Sequence, residues 1–366
     1  MSLHDSEATA APAFRLPAEW EPHEATWIAW PHNRGDWPGK FGPIAWAYVE
    51  IVRILSKVES VRILVKGKDA EEKARERLEC GGADLERVVF HRAATDRCWL
   101  RDSAPMFVVD DRGGCRLLDW KFNAWAKYEN HRRDDRVPRR LAQILDLPRI
   151  KPRATIHDRE ARVVLEGGAI DVNGKGTLLT TEECLLSDVQ ARNPGLDRAG
   201  IEDIFEKYLG IRHVVWLNRG ITGDDTHGHI DDLARFVDPQ TIVLAVEDDP
   251  ADPNYAATQE NWDRLRSARD QDGHPFRVVP LPFPDPVIFD GQRLPASYAN
   301  FFIANGLILV PTFNDPADRD ALGILAQLFP TRKVVGIHAT DLVWGLGTLH
   351  CLTRDQPAAS TPLDAP

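Results

Sequence analysis

Pro43-Ile44-Ala45-Trp46-Ala47-Tyr48-Val49-Glu50-Ile51-Val52-Arg53-Ile54-Leu55-Ser56-Lys57, followed after Val58-Glu59-Ser60 by Val61-Arg62-Ile63-Leu64-Val65, is the stretch from which the class of the chain can be read. Ile44, Tyr48, Ile51 and Leu55 recur at steps of four, three and four, which sets apolar side chains on one helical face. Pro43 stands in the opening turn, where its missing N–H breaks no helical hydrogen bond. The β-branched run behind the helix reads as a buried strand. Working outward, residues 106–109, 162–165, 214–217, 241–246, 277–281, 306–310 and 333–337 read as further strands, and 197–209 and 255–269 as further helices. Strands and helices that alternate from end to end predict an α/β or α+β chain of several sheet-and-helix units. No Gly/Ser linker or shift in composition divides it, so a single domain over 1–366 is expected, with flexible tails at 1–14 and 358–366. The charged segment 130–140 and the Pro-rich segment 282–295 read as long surface loops. No repeat is legible at the level of residues.

The 366 residues carry 45 Lys and Arg against 56 Asp and Glu, a net charge of −11, with 43% hydrophobic and 28% charged residues. That balance excludes disorder, collagen and a coiled coil as descriptions of the whole. A chain of this length buries roughly three quarters of its unfolded surface, enough to stand without disulfide or metal staples. The longest strongly apolar stretch, 301–311, is broken by Asn305 and Gly306 and falls short of the roughly 20 residues that span a bilayer, so no membrane partner is expected. Residues 1–13 hold Asp5 and Glu7 in place of the basic start and apolar core of a secretory signal, and a cytoplasmic location follows as the expectation. Five cysteines, at 80, 98, 115, 184 and 351, form no C-x-x-C pair, which argues against a disulfide framework and a thiolate zinc site. An acidic chain without a Lys/Arg cluster is not built for nucleic acid, and its field suits a cationic ligand.

Four places combine polar residues with small ones between apolar runs, where loops bring reactive groups to the rim of a sheet. They are Trp99-Leu100-Arg101-Asp102-Ser103-Ala104-Pro105, Leu165-Glu166-Gly167-Gly168-Ala169-Ile170-Asp171, Thr226-His227-Gly228-His229-Ile230-Asp231-Asp232 and Gly345-Leu346-Gly347-Thr348-Leu349-His350-Cys351-Leu352-Thr353. Singly, each has an ordinary reading: Asp102 as a turn cap, Glu166 in a surface ion pair, His229 as a hydrogen-bonded core histidine. As a set they offer a cysteine, a histidine and carboxylates on separate turns, a group fit for nucleophilic and acid–base chemistry.

With Leu16-Pro17-Ala18-Glu19-Trp20-Glu21-Pro22-His23 at one end, Ser297-Tyr298-Ala299-Asn300-Phe301 and Pro311-Thr312-Phe313 between, and Gln356-Pro357 at the other, these motifs occur in a specific order. The chain resembles the agmatine deiminase and bacterial-type peptidylarginine deiminase family of the guanidino-group-modifying (pentein) superfamily over nearly its whole length. The resemblance implies a five-bladed pseudo-symmetric α/β propeller of ββαβ units with the site in its central channel. It implies a hydrolase that turns a guanidino group into a ureido group and ammonia, with agmatine leading to N-carbamoylputrescine, and so to putrescine, as the foremost substrate. Peptidyl or free arginine, or another small guanidine, stands behind agmatine. By motif, Cys351 resembles the nucleophile, His229 the general acid/base, Glu166 the carboxylate that works with the histidine, and Asp102 and Asp231 the guanidinium-binding carboxylates. Trp99 is placed on the substrate channel. No cofactor and no metal are implied, and a homodimer is compatible with the family.

The residue types suit the implied chemistry. A guanidinium is planar, delocalised and permanently cationic, and a carboxylate meets its N–H fork with two parallel hydrogen bonds. Its carbon resists water, so a positioned thiolate attacks and a covalent S-alkylthiouronium forms. A histidine near neutrality protonates the departing nitrogen and then deprotonates the hydrolytic water.

Rival readings differ in what they leave idle. A metal-dependent hydrolase would take His227, His229 and Asp231 as ligands from one strand face, leaving Cys351 unused. An amidinotransferase would keep the thiol but release no ammonia, and a non-catalytic guanidinium-binding protein would need only the carboxylates. His227, His350, Asp224, Asp225 and Asp232 read as neighbours that shape turns or support the site. Cys80, Cys98, Cys115 and Cys184 read as packing residues. Relative to family members acting on agmatine, Gly345-Leu346-Gly347-Thr348-Leu349 replaces a Gly-Gly-Gly-Asn-Ile-type run, and Arg354 is expected to add a cation close to the nucleophile.

Overall fold

The computed structural model describes residues 14–358. The helix Phe41–Leu55 forms where the apolar spacing requires it and buries Ile44, Tyr48, Ile51, Val52 and Leu55. It packs on the strand Ser60–Val65, which pairs in parallel with His23–Ala29, so the helix is the crossover between two parallel neighbours. Each fully buried Leu or Ile of such a face contributes about 1.5–3 kcal/mol.

The same plan recurs along the chain. In each of four sheets a short strand runs antiparallel to a central one, and the central strand pairs in parallel, across a helical connection, with a third. These are Met106–Val109, Cys115–Leu118 and Arg149–Ile150; Asp171–Val172, Thr177–Thr181 and His213–Leu217; Ala234–Asp238, Thr241–Ala245 and Arg277–Leu281; and Phe302–Ala304, Leu307–Thr312 and Lys333–His338. A fifth sheet joins both ends of the described chain. Arg354–Pro357 lies antiparallel to His23–Ala29, and Val88–Arg92 extends the far side of Ser60–Val65. Two ribbons, Arg153–Ile156 with Arg159–Arg162 and Ile288–Phe289 with Gln292–Arg293, stand outside the plan. The class is mixed α/β with many small sheets.

Local chemistry fixes the boundaries. Asp197 accepts from Gly200 N–H at 2.9 Å to cap the helix Arg198–Leu209, and Gly210, at φ 70°, ends it in the left-handed conformation that glycine adopts without penalty. Two expectations need correction. Residues 162–165 are not a strand: pairing ends at Arg162, and Val164 makes only an isolated bridge to Lys121. The segment 130–140 is not all loop, since Val137–Leu145 is a helix with Pro138 in its first turn and Val137 and Leu141 turned inward. The tails lie outside the described residues except at their inner ends, where Phe14 takes the Arg116 guanidinium 4.0 Å over its ring and Ala358 N–H donates to Pro22 C=O at 2.8 Å.

The repeated plan is what assembles a site. Each sheet's antiparallel first strand is entered through a short turn. The helix Leu100–Ser103 leads into Met106–Val109, the single 3-10 turn Gly167–Ala169 into Asp171–Val172, and the turn Ile230–Asp232 into Ala234–Asp238. Residues 297–300 lead into Phe302–Ala304, and the helix Leu349–Leu352 into Arg354–Pro357. Leu100–Ser103 packs on Gly167–Ala169 and on Leu349–Leu352, Gly167–Ala169 packs on Ile230–Asp232, and His350 N–H donates to Asn300 C=O at 3.2 Å. Residues some 250 apart in sequence thus converge on one point.

Candidate active site

Cys351 sits in the helix Leu349–Leu352, is 8% exposed and lines a recess of about 70 Å³. Trp99, Asp102, Trp125, Tyr128 and Leu346 share that recess. Asn300 fixes the sulfur: its side-chain amide donates to Cys351 Sγ at 3.1 Å and to Asp232 Oδ1 at 2.9 Å, while its carbonyl oxygen accepts from Thr348 Oγ1 at 2.7 Å. Asp231 Oδ2 lies 3.7 Å from the sulfur. Burial first, then Asp231, Asp232 and Asp102, push the thiol well up from its ordinary range, and the Asn300 contact pulls the other way. A cation between the aspartates would offset their repulsion of a thiolate. A small guanidinium ligand is therefore expected to lower, by about one pH unit or more, the pH at which the thiolate ultraviolet absorbance of Cys351 appears. The difference between the native protein and Cys351→Ala isolates that signal, and superimposable titrations with and without the ligand would contradict it.

Gly168 marks the centre of the arrangement. A side-chain carbon built there would meet His229 Nδ1 at 2.5 Å and both Asp102 Oδ1 and Asp231 Oδ2 at 3.0 Å. Only a residue without one lets two carboxylates and an imidazole nitrogen face a common space. Asp102 is held from two sides, Oδ1 by Gly168 N–H and Oδ2 by Trp125 Nε1–H, each at 2.9 Å. Asp231 Oδ2 pairs with His350 Nδ1 at 2.7 Å, and its Oδ1 makes no hydrogen bond among the described residues.

His229 lies behind this space, with Asp102 Oδ2 and Asp231 Oδ1 each 3.9 Å from Nδ1 and Glu166 Oε2 3.8 Å from Nε2. Burial opposes a charged ring, but Asp102, Cys184 and Glu166 outweigh it and raise the imidazole well above its usual range. Glu166 is fully buried. Burial alone would raise its carboxyl, yet Arg192, whose Nε donates at 3.1 and 3.3 Å, and then His229 hold it at about 2. A carboxylate this firmly ionised favours the imidazolium.

Sequence reasoning missed several supports. Glu19 takes Arg101 Nη2 at 2.6 Å, Arg235 Nη2 at 2.7 Å and His350 Nε2 at 3.0 Å, a buried ionic hub behind Asp231. Arg192 and Arg235 lie in none of the motifs, and Asn300, though within one, has partners as remote as theirs, 26 to 216 residues away. Asp224 shapes the histidine turn, its Oδ2 accepting from Gly228 N–H at 2.7 Å and His229 N–H at 2.9 Å. Arg354 is not a cation at the nucleophile: it is buried on the far side with Glu19, Arg101 and His350, where burial and then Arg101 lower it to about 10. Cys80 is exposed at the end of its helix, so it is not a packing residue, and Cys184 lies beside His229.

The rival metal-hydrolase reading is not favoured by the geometry. Residues 227–232 form a bend and a 3-10 turn, so His227 and His229 share no strand face. His227, at φ 65°, points its Nε2 to Ser187 Oγ at 3.1 Å, and among the described residues no cluster of three candidate ligands includes it.

A thiol, an imidazole and paired carboxylates gathered around Gly168 and Cys351 form a set that can supply nucleophilic and acid–base chemistry. The chain belongs to the Porphyromonas-type peptidyl-arginine deiminase family, whose pattern matches residues 15–357. It is 38% identical to an agmatine deiminase of Pseudomonas aeruginosa over 95% of its own length and 96% of that protein's. Among solved structures it is similar to an agmatine deiminase of Enterococcus faecalis, at 30% identity and a TM-score of 0.86, covering 96% of this chain and 99% of that one. It is likewise similar to a substituted C. jejuni agmatine deiminase with substrate bound, at 29% identity and a TM-score of 0.82, covering 94% and 96%. An amidinotransferase of Microseira wollei, 12% identical with a TM-score of 0.51 and covering 96% and 98%, shares the fold alone.

Proposed function

We propose that the protein is a guanidino-group hydrolase that deiminates agmatine to N-carbamoylputrescine and ammonia. The carrying observation is the space over Gly168, bounded by Asp102, Asp231 and His229 Nδ1, with the Cys351 sulfur 3.7 Å from Asp231. The agmatine deiminases to which the chain is similar support the same substrate. The aromatic walls of Trp99, Trp125 and Tyr128 suit a methylene chain leading to the guanidinium.

In this reading Asp102 and Asp231 hold the guanidinium in one plane, and the Cys351 thiolate attacks its carbon, forming an S–C bond. The tetrahedral adduct collapses as a C–N bond breaks, and the leaving nitrogen takes the proton of His229 and departs as ammonia. Water then adds to the S-alkylthiouronium carbon while His229 accepts its proton. The C–S bond breaks, the thiolate returns, and the ureido product leaves. Glu166, backed by Arg192, keeps the imidazole cationic for the first half.

The five sheets of one plan support a five-bladed propeller of ββαβ units about a central channel, built as a single domain over the described residues. No helix among those residues is long and apolar enough to cross a membrane. A cytoplasmic location, a homodimer, and no membrane or nucleic-acid partner belong to the same proposal. It is tested by ammonia release from agmatine, arginine, arginyl peptides and simple guanidines. Agmatine is expected to give the highest kcat/KM. Turnover of arginyl peptides without turnover of agmatine would contradict the assignment.

A further inference from the structure

The imidazole of His229 has a front and a rear. Nδ1 faces Asp102 and Asp231 at 3.9 Å, and Nε2 faces Glu166 at 3.8 Å. Nε2 is buried and makes no hydrogen bond among the described residues. Beside this rear edge lies a sulfur that the chemistry above does not use. Cys184 is fully buried in the short helix Glu182–Leu186, and its Sγ, a Glu166 oxygen and a ring nitrogen of His229 all lie within 4.8 Å of one another.

The backbone ties this cysteine to the histidine. Thr181 caps the helix, its hydroxyl accepting from Cys184 N–H at 3.0 Å and donating to the carbonyl of Gly228 at 2.5 Å. One oxygen therefore fixes both Cys184 and the residue before His229. Glu166 cannot turn onto the ring unaided, because Arg192 Nε grips both its oxygens, at 3.1 and 3.3 Å. A polarisable sulfur, within 4.8 Å of a ring nitrogen, fills the remaining gap as a soft neighbour able to accept weakly from an N–H.

Building on the function proposed above, we propose that Cys184 is a positioning residue for His229, its sulfur closing the rear edge of the ring beside Glu166 so that Nδ1 stays turned toward the leaving nitrogen. The charged and titratable groups around the ring are Asp102 on the helix Leu100–Ser103, Asp231 and Asp232 on its own turn, Glu166 with Arg192 behind it, and Asp224 on its backbone. Burial disfavours the charged ring, while Asp102, then Cys184 and Glu166, favour it.

The test compares Cys184→Ala, Cys184→Val and Cys184→Ser by NMR titration of the His229 ring in the resting protein, the signal being assigned with His229→Gln. It adds kcat and KM for agmatine across pH. Ala and Val, which offer no acceptor, are expected to lower the ring's titration midpoint and cut kcat about three- to tenfold with little change in KM, and Ser to restore both. Ala is smaller than Cys and Val larger, so a defect of the same sign in both does not track volume, and Val and Ser carry the test should Ala fail to fold. Ring titrations of Val and native protein that coincide would overturn the proposal. Native protein that releases no ammonia from any guanidine would instead overturn the function, and the NMR comparison would still decide the role of Cys184.

Discussion

Cys351→Ala is expected to lose ammonia release from agmatine by about 10⁴-fold or more while still binding it, since the substitution removes the atom that forms the covalent bond. The side chain is small and its helix is held from the backbone, by Leu352 N–H to Thr348 C=O at 3.2 Å and His350 N–H to Asn300 C=O at 3.2 Å, so the fold should survive. The carboxylates proposed to grip the cation are untouched. Binding is checked by the rise in Tm that agmatine produces, and turnover by ammonia assay. A Cys351→Ala protein with a tenth or more of native kcat would remove the covalent mechanism. Loss of the Tm rise would mean that the thiol supports binding and not only chemistry.

Gly168→Ala is the second expected large effect, and its cause is steric. The added methyl group would stand 2.5 Å from His229 Nδ1 and 3.0 Å from Asp102 Oδ1 and Asp231 Oδ2, in the space assigned to the guanidinium. Residue 168 does not have a positive φ, so alanine imposes no backbone penalty there, and Gly168 N–H can still donate to Asp102. The loss should therefore fall on function, at about 10³-fold in kcat/KM, with the agmatine-dependent rise in Tm abolished. Near-native kinetics in this variant would place the guanidinium elsewhere.

What can be read from the chain follows the range of the forces involved. The helix Phe41–Leu55 is legible because Ile44, Tyr48, Ile51 and Leu55 carry its pattern within a few turns. The helix Val137–Leu145 is obscured because Arg139 and Arg140 dominate its composition, although Pro138 in the first turn and Leu141 three residues on are the available signal. The repeat stays hidden because the first strands are as short as Asp171–Val172 and share topology, not residues. Asp102, Glu166, His229, Asp231 and Cys351 sit in short motifs, and it is the family resemblance of those motifs that names them as candidates. Their supports cannot be named in this way, because Glu19 meets Arg235 and Glu166 meets Arg192 only after distant strands have paired. A buried ion pair leaves no periodic trace in sequence, since each partner is placed by a different turn. Cys184 reads as packing for the same reason: nothing near it in the chain reveals the histidine beside it.

Arg192, His350, Arg101 and Arg235 hold the carboxyls of Glu166, Asp231 and Glu19 below their usual range, against the cost of burial. In the proposed function that fixed charge would hold a planar cation and favour an imidazolium behind it. The most direct test of this account is mass spectrometry of the native protein acid-quenched during turnover of agmatine. An adduct is expected on the peptide that carries Cys351, with a mass increment equal to the substrate less one ammonia. Steady turnover with no adduct there, or with an adduct on another residue, would contradict it.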